Sequence, residues 1–208
     1  MIDFPEASRI HKALPKEAFY RHISLTRKVK DKFVTDIEKI YAEWSFTNET
    51  LNLEKEGESN EILVLLVKLK KQSIDTKIFE AIAKQNSHKL LFVCSAGDEL
   101  KLAIYHSGKV YMTEWLNKNK LNLEAQGFSL DEVWDGFVEQ IALTKQIDFG
   151  KQLSIEERLE RQNKIIALEK EIDKLDALTW KEIQPKKKFE LYNSIKECQK
   201  KLEEIKNG

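Results

Sequence analysis

The chain has 208 residues, 41% hydrophobic and 34% charged, with only 7 Gly and 3 Pro. That is one generous domain or one domain with an appendage, and so few turn formers exclude collagen-like, mucin-like and linker-like chains and argue against a sandwich of many short strands. Its 35 Lys and Arg balance 35 Asp and Glu, so total charge recruits neither nucleic acid nor an anionic membrane, and an electrostatic partner has to be met by a local patch.

The opening segment, Met1-Ile2-Asp3-Phe4-Pro5-Glu6, has neither the basic nor the apolar region of an export signal. The longest apolar run, residues 62–67, falls far short of the about 20 residues a spanning helix needs. Cys94 and Cys198 lie in apolar patterns too far apart in sequence for a metal clip. The expectation is a cytoplasmic protein with reduced thiols and no membrane association.

Pro15 followed by Lys16-Glu17-Ala18-Phe19-Tyr20 predicts a short helix with proline in its first turn. Val29, Phe33, Ile37 and Ile40 mark a second helix from near Thr26, which gives way around Glu38 to a strand where Ile40, Ala42, Trp44 and Phe46 alternate with polar residues. Residues 61–70 carry a β-rich run that is apolar on both faces, as in a central strand covered by helices. A helix capped by Asp75 follows. Residues 90–94 and 100–105 read as a hairpin around Ser95-Ala96-Gly97-Asp98, and residues 109–115 as a third strand after Ser107-Gly108. Ser129-Leu130-Asp131-Glu132 has the form of a capping box opening a last helix with Val133, Phe137 and Ile141 inward.

From Ser154-Ile155-Glu156-Glu157, another capping box, the pattern is purely helical. Ile165, Leu168, Ile172, Leu175 and Thr179 recur at steps of three and four, and after Pro185 so do Leu191, Ile195, Cys198, Leu202 and Ile205. Proline cannot continue the first helix, so two antiparallel helices turning near Pro185 are expected. The alternative is one long helix kinked at Pro185 and paired in a dimer, with the seam serving homo-oligomerisation or a protein partner. The fold class is therefore α/β, with α+β as the variant: a mixed sheet with flanking helices over residues 1–150, then a helical hairpin over residues 151–208.

No chemistry-bearing motif is present. His11, His22, His88 and His106 include no pair at metal-binding helical spacing. There is no phosphate-cradling glycine loop and no nucleophile elbow, and Cys94 sits in an apolar strand as an inert thiol would. No catalytic residue, metal ligand or cofactor site is assigned. The order helix, strands, helix, strand resembles restriction-endonuclease-like nucleases, whose metal-binding Glu-x-Lys would fall where this chain has Lys68-Leu69-Lys70. A lysine in place of the carboxylate removes an oxygen ligand that Mg²⁺ demands.

Charge is unevenly placed: residues 1–35 hold eight Lys and Arg against four Asp and Glu, and residues 36–61 hold two against eight. Arg9, Lys12, Arg21, Arg27, Lys28 and Lys30, with Lys68, Lys70 and Lys71, are the candidate nucleic-acid contacts if the N-terminal helices pack beside the central strand. Among the sheet's aromatic residues, parity assigns Trp44 and Phe46 to the core face of Ile40 and Ala42, and the apolar run takes Phe92 inside. Tyr105, Tyr111 and Trp115 fall near strand ends, Trp115 being the best candidate for an exposed contact.

Phe4-Pro5, Leu14-Pro15-Lys16, Phe19-Tyr20, the strand at residues 62–71, Leu90-Leu91-Phe92-Val93, Thr113-Glu114-Trp115 and Lys186-Lys187-Lys188-Phe189-Glu190-Leu191 together resemble a bacterial family known as domain of unknown function 4391. The resemblance spans nearly the whole chain and includes no catalytic signature. It implies a setting beside DNA methyltransferases and helicases in restriction-like or phage-defence loci, which is to say a partner and not a reaction. The first expectation is thus a non-catalytic accessory subunit of a DNA-modification or defence system, docking through its helical hairpin on a methyltransferase or helicase of the same locus. The second, of a different class, is a nuclease-like domain that binds DNA or RNA through its basic N-terminal face, with degenerate metal-dependent cleavage.

Overall fold

A computed structural model describes residue 2, residues 4–17, residue 19 and residues 25–144 and 153–207. The chain divides between Thr144 and Lys145 into two compact units. No helix among the described residues is long and apolar enough to cross a membrane.

The first unit is built on a mixed sheet. Its strands are β1 (Arg9–Leu14), β2 (Ile37–Phe46), β3 (Ile62–Leu69), β4 (Lys89–Ala96), β5 (Glu99–His106), β6 (Lys109–Met112) and the short β7 (Leu116–Asn117). They run in the order β1-β2-β3-β4-β5-β6, with β7 also paired to β5. All pairs are antiparallel except β3 with β4, which are parallel and joined by a crossover helix. As the unbroken apolar run predicts, β3 lies mid-sheet.

Helix α1 (Arg27–Asp36) starts where expected, with the Thr26 hydroxyl as its N-cap, and ends where β-branched Ile37 opens β2. After the one-turn α2 (Asn48–Leu51) and β3 comes α3 (Thr76–Lys84), capped by the Asp75 carboxylate on the Lys77 amide at 3.0 Å. Helices α1 and α3 bury Val29, Phe33, Ile78, Phe79 and Ile82 against one sheet face, on Ile40, Leu65, Val67, Phe92 and Cys94. Side chains of opposite parity, Ile62, Val64, Leu91, Val93, Leu102 and Ile104, are buried on the other face. Helix α4 (Leu130–Ala142) buries Val133, Trp134, Phe137, Val138 and Ile141. Its cap is half a box: the Ser129 hydroxyl accepts from the Glu132 amide, but Glu132 reaches the Phe128 amide instead of that of Ser129.

Three expectations need correcting. Residues 9–14, carried in the sequence reading with the basic N-terminal helices, form the edge strand β1, whose exposed RIHKAL pattern has no alternation to betray it. Lys16, Glu17 and Phe19 are helical, and Ala18 and Tyr20 of that expected segment lie outside the described residues. Trp44 and Phe46 do not share the face of Ile40 and Ala42, because Ala42 pairs with Leu65 while Trp44 pairs with Val64, leaving Glu43 as an inserted residue. Such a β-bulge shifts the parity of everything beyond it. Phe46 therefore packs with Phe137 of α4 at 5.9 Å, and Phe4 meets both Trp44 at 5.3 Å and Phe46 at 4.9 Å. Thirdly, β6 stops at Met112, and Thr113 continues the pairing locally, its amide and hydroxyl both bonded to the backbone of Leu102 at 3.0 Å.

The second unit is the hairpin of α5 (Ile155–Lys181) and α6 (Pro185–Asn207). Ser154 and Glu157 make the full reciprocal capping box. At the turn the Glu182 carboxylate accepts from the amides of Ile183 and Gln184, each at 2.9 Å, and Pro185 opens α6 at a position where its missing N–H costs nothing. Ile165 and Ile195 are buried, and Leu168, Ile172, Leu175, Leu191, Leu202 and Ile205 are half-buried along the expected seam. Lys206 meets Glu169 at 3.5 Å across the two helices. The single helix kinked at Pro185 is thereby replaced by an antiparallel pair.

Candidate functional site

With the seam residues turned toward one another, the hairpin's outer surface at its turn carries a second apolar set. Ile183 is 91% exposed and Trp180 85%, and Leu178, Phe189 and Tyr192 are also exposed. All five fall within residues 178–192; Trp180, Phe189 and Tyr192 lie off the three-four seam, whereas Leu178 follows Leu175 by three and Ile183 lies in the turn beyond α5. Large apolar side chains scattered singly are ordinary on a protein surface, whereas a group of them concentrated around one turn is a candidate interaction site. Leu178 and Leu191 floor a cleft of about 450 Å³ between the two helices, walled by Lys181, Glu182, Lys187 and Glu190. The tip carries Lys181, Lys186, Lys187 and Lys188, while the Glu182 carboxyl is held below its usual range by the turn amides it accepts from. Neither the exposed tip residues nor the cleft follows from heptad reading; the available signal was the concentration of large apolar residues around the Pro185 turn, Trp180, Phe189 and Tyr192 off the seam.

The basic residues of the N-terminal region are not one surface. Arg27, Lys28 and Lys30 are exposed on α1, on the side of the sheet that α1 and α3 cover. Lys12 pairs with Ala42 and so belongs to that side too. Lys70 donates to the Val34 carbonyl at 3.1 Å, Lys71 pairs with Asp36 at 2.9 Å, and Lys16 donates to the Ile37 carbonyl. These three ammonium groups converge on the carboxyl end of α1, where the helix dipole favours cations. Burial, then the neighbouring Lys70, lowers the Lys16 pKa. Burial would raise the Asp36 pKa, but hydrogen bonds from Lys71 and Thr35 outweigh it and hold the carboxyl below its usual range. Arg21 lies outside the described residues.

Arg9 and Lys68 face the other way, in company that the sequence did not announce. Glu43, the bulge residue, is only 4% exposed. Its carboxylate accepts from His11 Nδ1 at 2.7 Å and lies 3.4 Å from the Arg9 guanidinium, which also meets Glu6 at 3.8 Å. His11 occupies a bulge in β1 with φ of 43°, a left-handed conformation uncommon among non-glycine residues, of which histidine, asparagine and aspartate adopt it most readily. Its ring stacks on Tyr41 at 5.1 Å, and Lys68 Nζ lies 5.2 Å from the centre of the same Tyr41 ring. The signal in the sequence was a glutamate set between Ala42 and Trp44 in a half-buried strand.

A third polar cluster lies at the amino ends of β3 and β4, a cavity of about 310 Å³ bordered by Ser59, Glu61, His88, Lys89 and Asp131. These groups satisfy one another. Asp131 accepts from the Glu58 amide at 2.7 Å, from Ser59 and from Lys89 at 2.9 Å, and Glu61 accepts from Ser45 and meets His88 at 3.3 Å. The cluster fastens the loop before β3 to α4. Among the described residues no three His, Cys, Asp or Glu side chains are grouped to hold a metal ion, and in Lys68-Leu69-Lys70 the two lysines point to Tyr41 and to the Val34 carbonyl. Cys94 is fully buried, which pushes its thiol up to about 12.

The family described as domain of unknown function (DUF4391) matches residues 2–202. The chain belongs to that family. No curated protein and no solved structure matches it. For this DUF4391 member, then, function has to be argued from the exposed hairpin tip and the sheet-face cluster, since the family description names no activity.

Proposed function

We propose that the protein is a non-catalytic accessory subunit of a bacterial DNA-modification or phage-defence system, and that its hairpin tip docks on a methyltransferase or helicase encoded beside it. The observation that carries this reading is the exposure of Leu178, Trp180, Ile183, Phe189 and Tyr192 together at one end of the hairpin. Exposed Trp and Tyr are the side chains that most often dominate binding energy at protein interfaces. Lys181, Lys186, Lys187 and Lys188 outnumber Glu182 and Glu190 around the tip, and this excess of positive charge favours a partner groove that is apolar at its centre and acidic at its rim over a second copy of the same tip.

Co-expression of the tagged chain with each enzyme of its own locus tests this. A methyltransferase or helicase retained by the wild type and lost with Ile183→Asp supports the reading. Retention of neither, or equal retention by the variant, contradicts it. A self-dimer dispersed by the same substitution would assign the tip to a second copy instead.

A further inference from the structure

We propose that Arg9, His11, Lys39 and Lys68 form a binding site for the phosphodiester backbone of a nucleic-acid strand, on the sheet face opposite α1 and α3, with Glu43 as a positioning residue. The bulges at Glu43 and in β1 assemble it. Arg9 pairs with Trp44 and Lys39 with Lys68, so β1, β2 and β3 each place a cation on this face, across about 10 Å perpendicular to the strands and about 13 Å along them at normal strand geometry. Lys39 and Lys68 are exposed, and His11 keeps more than half of its side-chain surface in solvent.

Two unfavourable features coincide here. A carboxylate is buried at Glu43, and a non-glycine residue takes a left-handed conformation at His11. Each is disfavoured alone, and backbone strain of this kind concentrates at functional sites. Together they hold one imidazole by its Nδ1 against a fixed carboxylate, flat on Tyr41, an arrangement that fixes the ring's orientation while more than half of the side chain stays in solvent. The cations are spread across open strands instead of lining any of the cavities described above, which suits an extended polyanion.

The test is fluorescence anisotropy with a labelled oligodeoxythymidylate over a range of salt, with unlabelled polyglutamate as competitor. Binding is expected to weaken with salt, and Lys68→Ala should lower the slope of log K against log salt by about 0.7, the value for one phosphate contact on a single strand. His11→Asn keeps a residue that tolerates the left-handed backbone, and should weaken binding while leaving melting unchanged or raised. Glu43→Gln is the discriminating variant. It removes a negative charge, which by charge alone would tighten polyanion binding, whereas loss of His11 positioning weakens it. Tighter or unchanged binding by Glu43→Gln overturns the proposal. So does an equal effect of Arg27→Ala on the far side of the sheet, or displacement by polyglutamate as effective as by unlabelled oligonucleotide.

Discussion

The Asp131 carboxylate accepts hydrogen bonds from both the amide and the hydroxyl of Ser59, so the first turn of α4 fastens the loop that leads into β3. Burial raises the Asp131 pKa, but hydrogen bonds from Ser59, Lys89 and the Glu58 amide outweigh it and hold the carboxyl well below its usual range. A depressed folded-state pKa gives stability that is present above the unfolded value of about 3.9 and lost as pH falls through the folded value. Urea unfolding should therefore show the wild type weakening below about pH 4, with Asp131→Asn less stable at neutral pH and flatter across that window. Asp36 and Asp75 are depressed as well, so the variant's slope shrinks without vanishing.

Gly57 sits against the same carboxylate, and a β-carbon built there collides with Asp131 Oδ2. Gly57→Ala is expected to push the loop off α4 and cost on the order of 2 kcal/mol, the range for hydrogen bonds to a charged group. Chemical denaturation reads the loss, and Gly97→Ala, where the neighbourhood is empty but φ is 63°, should cost roughly 1 kcal/mol through strain alone.

Ile172→Asp together with Leu202→Asp places two charges in the half-buried seam of the hairpin, where apolar side chains pack on one another and a carboxylate is costly to desolvate. Helical circular dichroism should fall in proportion to residues 155–207, while the near-ultraviolet signal of the first unit's aromatic core persists. Loss of both signals together would show that the two units do not fold separately.

Cys94 is fully buried with its thiol pushed up to about 12, and Cys198 lies half-buried in α6. Alkylation of the native protein should modify Cys198 and leave Cys94 untouched until unfolding. Mass mapping of the labelled chain checks this.

The elements legible in the sequence were those with a local physical cause: the caps at Thr26, Asp75 and Ser154, the two-sided apolar run of β3, and the break before Pro185. Parity failed at Trp44 and Phe46 because a single inserted residue, Glu43, reverses every side chain beyond it, and a bulge is specified by pairing with a neighbouring strand, not by its own segment. β1 escaped for a related reason: an edge strand with no buried side needs no pattern. The basic residues divide between two faces because nearness in sequence does not say which lysines will be consumed by a helix end, as Lys16, Lys70 and Lys71 are, and which will stay exposed, as Lys68 does. At the hairpin the seam was legible and the tip was not, since seam reading discards Trp180, off the register, and Ile183, in the turn beyond α5, both of which stand out in the fold.

The most direct measurement is the affinity of the full chain for the methyltransferase or helicase of its own locus, by calorimetry, with wild type, Trp180→Ala and Ile183→Asp compared. The tip residues are exposed, so helicity and melting should not change with either substitution. The account predicts binding weakened by about thirtyfold or more for each, the loss expected of an interface hot spot. Affinity within about twofold of wild type for both variants would contradict it.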